Sequence, residues 1–262
     1  MLCDAPERSN YDLNFRVFGF PVRIHPWFWL ASLFLGGVDR DPGVVFIFVA
    51  VWLLTTLVHE LGHAFAMRYY GEDAAITLHA MGGYAESLQG FWRRNYSSQI
   101  RISAAGPVAG LAFGAAVALA AWFMGASISL HFSRLGIPYV TAIWPHAEPV
   151  ANAWGRLYIS AAFNSLLWAA IYWDLINLLP VYPLDGGQIA RAWLERKWAT
   201  RGLIRSLEIS AATGAVVAVA SMVCGSLWTA FLFGSCAFGS WQALETYRGQ
   251  GRSDGPRSRP LY

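Results

Sequence analysis

Six apolar stretches, separated by short polar and Arg-bearing connections, set the pattern of the chain: about 26–38, 43–69, 102–126, 155–179, 209–224 and 227–244. A helix needs roughly 20 apolar residues to cross a hydrocarbon core of about 30 Å. The first stretch and the last two are short by that measure, and the last two join at a turn near Gly225. The pattern predicts an all-α polytopic membrane protein with about six transmembrane helices. Residues 75–84 read as a short extended, β-type segment after the second helix. Gly106, Gly110 and Gly114 recur every fourth residue in the third stretch, a spacing that lets helix backbones approach closely in lipid.

Composition agrees with the pattern. Of 262 residues, 56% are hydrophobic and 13% charged, against about 25% charged in a soluble domain. A water-soluble globule has too little polar cover for such a chain, and disorder is excluded for the same reason. The net charge of +3 offers no footprint for nucleic acid. The placement of the basic residues is more telling. With six spans, sixteen of the nineteen Lys and Arg fall on one side, and only Arg40, Arg134 and Arg156 on the other. By the positive-inside rule both termini are then cytoplasmic, as expected of a multi-pass inner-membrane protein in a lipid bilayer. The expected organisation is a cytoplasmic N-terminal segment over 1–25, a membrane-embedded core over 26–245 and a disordered cytoplasmic tail over 246–262. Three cysteines with no CxxC pair argue against a disulfide framework or a Cys-based metal site.

Chemistry concentrates in the second stretch. His59-Glu60-Leu61-Gly62-His63 is an HExxH motif. On a helix the two histidines share a face and can reach one Zn²⁺, while the glutamate beside them can accept a proton from water. Ionisable residues inside a membrane helix are costly and mark function. Zinc requires a third protein ligand, for which Asp174, Asp185, His25, His79 and Glu208 are candidates. Asp185 stands out. It lies in Asn-Leu-Leu-Pro-Val-Tyr-Pro-Leu-Asp-Gly-Gly, residues 177–187, where two prolines end a helix and two glycines permit a tight backbone. Irregular backbone at membrane depth is tolerated where it is buried in protein or lines a cavity. In the six-span topology this segment and the HExxH helix both reach the cytoplasmic side.

These paired motifs resemble the site-2 protease family of intramembrane zinc metalloproteases, peptidase family M50. Phe18-Gly19-Phe20-Pro21-Val22-Arg23-Ile24-His25 resembles the family's lead-in, Met81-Gly82-Gly83-Tyr84 its Gly-Gly segment, and Ala105-Gly106-Pro107 the Gly-Pro motif opening its third core helix. Gly110 departs from it, since many members carry Asn there. The resemblance covers about residues 17–190 and suggests a minimal form without a PDZ or CBS domain. It implies one zinc per chain on His59, His63 and Asp185, with Glu60 as general base and Asn177 near the scissile carbonyl. It further implies a membrane-spanning protein substrate, unwound along an extended segment, and regulated intramembrane proteolysis.

The other polar residues carry plainer expectations. Asp174 either lines a water path or pairs with an arginine. Asn164 reads as an interhelical bond, His79 as solvated or interfacial, and His131 and His146 as solvated in the outer loop. Trp27, Trp29, Trp144 and Trp154 suit interfacial belts. Two rival functions are a divalent metal transporter and a catalytically inactive binding protein of the same fold. Transport requires a polar path through both leaflets, which the other spans lack, and an intact Glu60 has no evident use without catalysis.

Overall fold

The computed structural model describes residues 7–37, 41–80, 82–88, 95–134, 136–144 and 153–253. The chain divides into two compact units, Met1–Leu178 and Leu179–Tyr262. The first unit runs β1 (Leu13–Val17), β2 (Phe20–Ile24), α1 (Pro26–Gly36), α2 (Pro42–Tyr69), β3 (Ala74–His79), β4 (Gly82–Ser87), α3 (Tyr96–Phe123), β5 (Ser127–Phe132), β6 (Pro138–Ile143), α4 (Ala153–Leu167), a π-helical segment (Trp168–Tyr172) and α5 (Trp173–Asn177). The second runs α6 (Asp185–Trp198), α7 (Thr200–Val223) and α8 (Leu227–Ser253).

Local chemistry sets the helix starts. Asp41 accepts from the backbone N–H of Gly43 and Val44 at 2.9 and 3.2 Å, and Pro42 supplies a preset φ at the first helical position of α2. Asn95 caps α3 by accepting from Ser98 N–H at 2.7 Å. Helix α3 begins before the predicted 102, so Pro107 lies within the helix and does not open it. The inner face of α2, including Phe48, Trp52, Leu61 and Met67, packs with Phe28 and with Val22, Ile76 and Leu78 of the sheet.

That sheet has the order β1-β2-β3-β4. Its pairs are antiparallel, parallel and antiparallel, with Phe15 opposite Val22, Val22 opposite Ile76, and Thr77 opposite Tyr84. Residues 75–84, read above as one extended segment, lie across both β3 and β4, and the segment read as an N-terminal lead-in supplies β1 and β2. Phe18 and Gly19, with φ of 50° and 86°, form the two-residue turn between those two strands. Arg68, at the end of α2, donates to the Phe18 carbonyl at 3.0 Å and stacks 3.6 Å above the Phe20 ring.

Among the described residues, four helical segments are long and apolar enough to cross a membrane: Pro42–Tyr69, Tyr96–Phe123, Leu157–Asn177 and Thr200–Val223. The chain is a membrane protein. The expected first span is an 11-residue helix, α1, and the expected sixth becomes the 27-residue α8, whose second half is polar. Length and composition thus support four spans where the hydropathy pattern alone counted six.

Candidate metal centre

Helix α2 presents His59, Glu60 and His63 within its buried stretch. The two imidazoles converge, with Nε2 to Nε2 at 3.2 Å. Their other ring nitrogens are engaged. His59 Nδ1 lies 2.5 Å from Asp174 Oδ1, and His63 Nδ1 lies 2.7 Å from the Ile102 carbonyl. A carbonyl only accepts, so His63 carries its proton on Nδ1, and the Asp174 carboxylate favours the same tautomer for His59. With both rings neutral the two Nε2 lone pairs face one another, and either a shared proton or a metal ion between them relieves the repulsion. Two nitrogens bound at about 2.0–2.1 Å to one tetrahedral zinc are about 3.3 Å apart. The observed spacing fits zinc.

The neighbours of α2 are shaped to this pair. A Cβ at Gly106 of α3 would collide with the His63 ring, so glycine makes room for the imidazole. Gly62, between Leu61 and His63, lets α3 come close: a Cβ there would meet the Ala105 carbonyl and lie 2.8 Å from Ala109 Cβ. The small residues of α3 therefore admit specific side chains as well as a neighbouring helix. Glu60 is buried, and a Cβ at Gly83 of β4 would lie 2.8 Å from its Cγ and Oε1. The glycine thus seats β4 against the carboxylate. Asn177 is buried on α5, one turn beyond Asp174.

Asp185 belongs to the second unit. It is buried and opens α6, where a carboxylate is favoured by the positive end of the helix dipole. The segment leading to it, 179–184, is held from within its own unit. Tyr182 N–H donates to Ser210 Oγ at 2.7 Å, and Ser210 shares a 2.7 Å hydrogen bond with Ser240. A Cβ at Gly187 would lie 2.5 Å from the Val181 carbonyl carbon and Tyr182 N. The second glycine after Asp185 is therefore a requirement of close backbone approach.

The sequence model of peptidase family M50 matches residues 47–221, two-thirds of the chain and both stretches just described. The chain belongs to peptidase family M50. It is 26% identical over 83% of its length to a zinc metalloprotease of Methanocaldococcus jannaschii, and covers 55% of that protein. It is 31% identical over 83% of its length to Rip3 of Mycobacterium tuberculosis, and covers 54% of it. The chain spans about half the length of these relatives. Its fold is that of the site-2 protease from Methanocaldococcus jannaschii, with a TM-score of 0.53 at 20% identity, covering 96% of this chain and 100% of that one.

Within this M50 chain the other polar candidates have structural tasks. His25 caps α1 by accepting from Trp27 N–H at 3.3 Å. His79, expected to be solvated or interfacial, is buried against Tyr84, ring centroids 5.6 Å apart, and so is not solvated. Burial holds its pKa below 6.5, helped by nearby His25 and Arg23. Glu208 pairs with Arg248 at 2.7 Å. Asn164, expected to bridge helices, instead grips β6: it accepts from Ala142 N–H at 2.9 Å and donates to the Ala142 carbonyl at 3.0 Å. His131 is exposed and bonds Thr141 at 2.9 Å. His146 and the Trp154 side chain lie outside the described residues. Asp174 meets His59, a role that sequence reasoning missed. Its position one turn before Asn177 was the available signal.

Proposed function

We propose that the chain is a zinc endopeptidase of the site-2 type that hydrolyses peptide bonds in or near a transmembrane segment of another protein. The observation that carries this reading is the convergence of two Nε2 atoms at 3.2 Å, in a helix that also carries buried Glu60. We assign one zinc ion to His59, His63 and Asp185, three buried side chains. Two imidazoles, one carboxylate and an open fourth position suit hydrolytic zinc. When bound, zinc acidifies a water and polarises a carbonyl. Glu60 takes the proton of the attacking water and returns it to the leaving amine. Asn177 donates its amide to the oxygen on which negative charge develops. Strand β4, at the end of the sheet order and seated on Glu60 through Gly83, offers an edge for an unwound substrate backbone.

Charge placement supports α1 and α8 as further crossings. With the four long segments alone the basic residues divide almost evenly between the two sides, whereas six crossings put sixteen of nineteen on one. On that reading the core over 26–245 is membrane-embedded in the inner membrane, both termini are cytoplasmic, and cleavage occurs near the cytoplasmic leaflet. The likeness to site-2 proteases supports release of a regulatory fragment as the outcome of such a cut.

The test compares wild type with Glu60→Gln in detergent, measuring bound metal and cleavage of a model membrane substrate. Glu60→Gln keeps its zinc and loses cleavage by about 10²–10⁴-fold, the usual contribution of a general base. Unchanged cleavage would reject the mechanism.

A further inference from the structure

Asp174 is a carboxylate only 2% exposed, within a segment apolar enough to span a membrane. A buried carboxylate there is costly unless a donor or cation compensates it. His59 Nδ1, 2.5 Å away, is such a donor. The approach depends on α3. A Cβ built at Gly110 overlaps the Asp174 carboxylate itself, reaching its Cγ and both oxygens, so even alanine at 110 would evict it. The π-helical segment Trp168–Tyr172 immediately precedes α5. Its wider turn inserts a residue relative to an α-helix, and so sets the face from which Asp174 projects.

We propose that Asp174 and Gly110 are a matched pair that positions His59. The carboxylate accepts the Nδ1–H and fixes both the tautomer and the plane of the ring, and the missing side chain at 110 is the space it occupies. Asp174 is a positioning residue, acting on the metal through His59. The inference rests on the zinc reading above and deepens it. Carboxylates behind a metal-bound histidine typically change metal affinity by 10–100-fold when removed. Gly110→Ala should reproduce the loss by displacing the carboxylate, although residue 110 offers no ligand.

The experiment measures zinc affinity of the full chain in detergent, by competition with a chromogenic chelator, for wild type, Asp174→Ala, Asp174→Asn, Gly110→Ala and the Asp174→Ala/Gly110→Ala double variant. Asp174→Ala and Gly110→Ala each weaken zinc binding by 10–100-fold. The double variant binds like Asp174→Ala alone, because the added methyl then has no carboxylate to displace. Asp174→Asn, which keeps the shape and a neutral acceptor, falls between wild type and Asp174→Ala, and carries the test if the alanine variant does not fold. Wild-type affinity in Asp174→Ala or Asp174→Asn overturns the pairing, as does a double variant in which the Gly110→Ala loss adds in full to that of Asp174→Ala. A wild-type protein that takes up no zinc overturns the metal reading as well, and so separates the two failures.

Discussion

The two stretches that carry the proposed ligands present them in opposite ways. His59 and His63 project from the middle of a 28-residue helix whose backbone is already satisfied. Their precision comes from what stands behind each ring: the Asp174 carboxylate, the Ile102 carbonyl and the space at Gly106. Asp185 sits where a helix begins, after an irregular segment. Its precision comes from the backbone, through a hydroxyl pair that holds Tyr182 and a glycine on which the loop rests. Regular structure leaves side-chain orientation to be fixed, whereas irregular structure leaves the main chain to be fixed.

The comparison can be broken most severely by removing a donor. His63→Ala should weaken zinc binding by about a thousandfold, one donor's share of a total near 10–16 kcal/mol, read as metal content after dialysis. Next come two glycines that separate the modes. Gly187→Ala forces a methyl into backbone and should lower the stability of the metal-free protein by roughly 1–3 kcal/mol, an overpacking cost, seen in thermal unfolding. Gly106→Ala displaces an imidazole and should reduce zinc affinity more than metal-free stability. If both glycines gave the same pattern, the distinction would fail. Ser210→Ala leaves the Tyr182 N–H without its hydroxyl, costing about 0.5–1.5 kcal/mol as the loss of a part-buried hydrogen bond, and chemical denaturation would report it. The smallest effect concerns neither ligand. Because His79 protonates less readily folded than unfolded, its contribution is complete above pH 6.5 and declines as pH falls below that, until the lowered folded pKa is passed. Unfolding midpoints from pH 7.5 to 5 should show that slope in wild type and a shallower one in His79→Gln.

The chemistry was legible in the sequence because its carriers are local. Five consecutive residues define the helix face of His59 and His63, and the Pro and Gly around Asp185 announce irregular backbone. The sheet was not legible. Its central pairing joins Val22 to Ile76 in parallel, and no local pattern announces a partner so distant along the chain. Length and composition support only four of the six expected spans because two helices are ambiguous by those measures: α1 is apolar but brief, and α8 mixes apolar and polar turns. Asp174 was visible as a buried charge but not as the partner of His59, since that contact depends on the π-helical segment and on α3 arriving with glycine. The departure at Gly110 from the family's common Asn gains a physical reason: a side chain at 110 would occupy the place of the Asp174 carboxylate.

The Arg68 clamp has a mechanical consequence. By tying the Phe18–Gly19 turn to the last helical turn of α2, it makes the N-terminal hairpin a lever fastened to the same rod that carries Glu60. Strand β4, seated on that carboxylate, hangs from the same sheet. Force applied to the hairpin is therefore transmitted to Glu60 from two directions rather than dissipated in a loose leader.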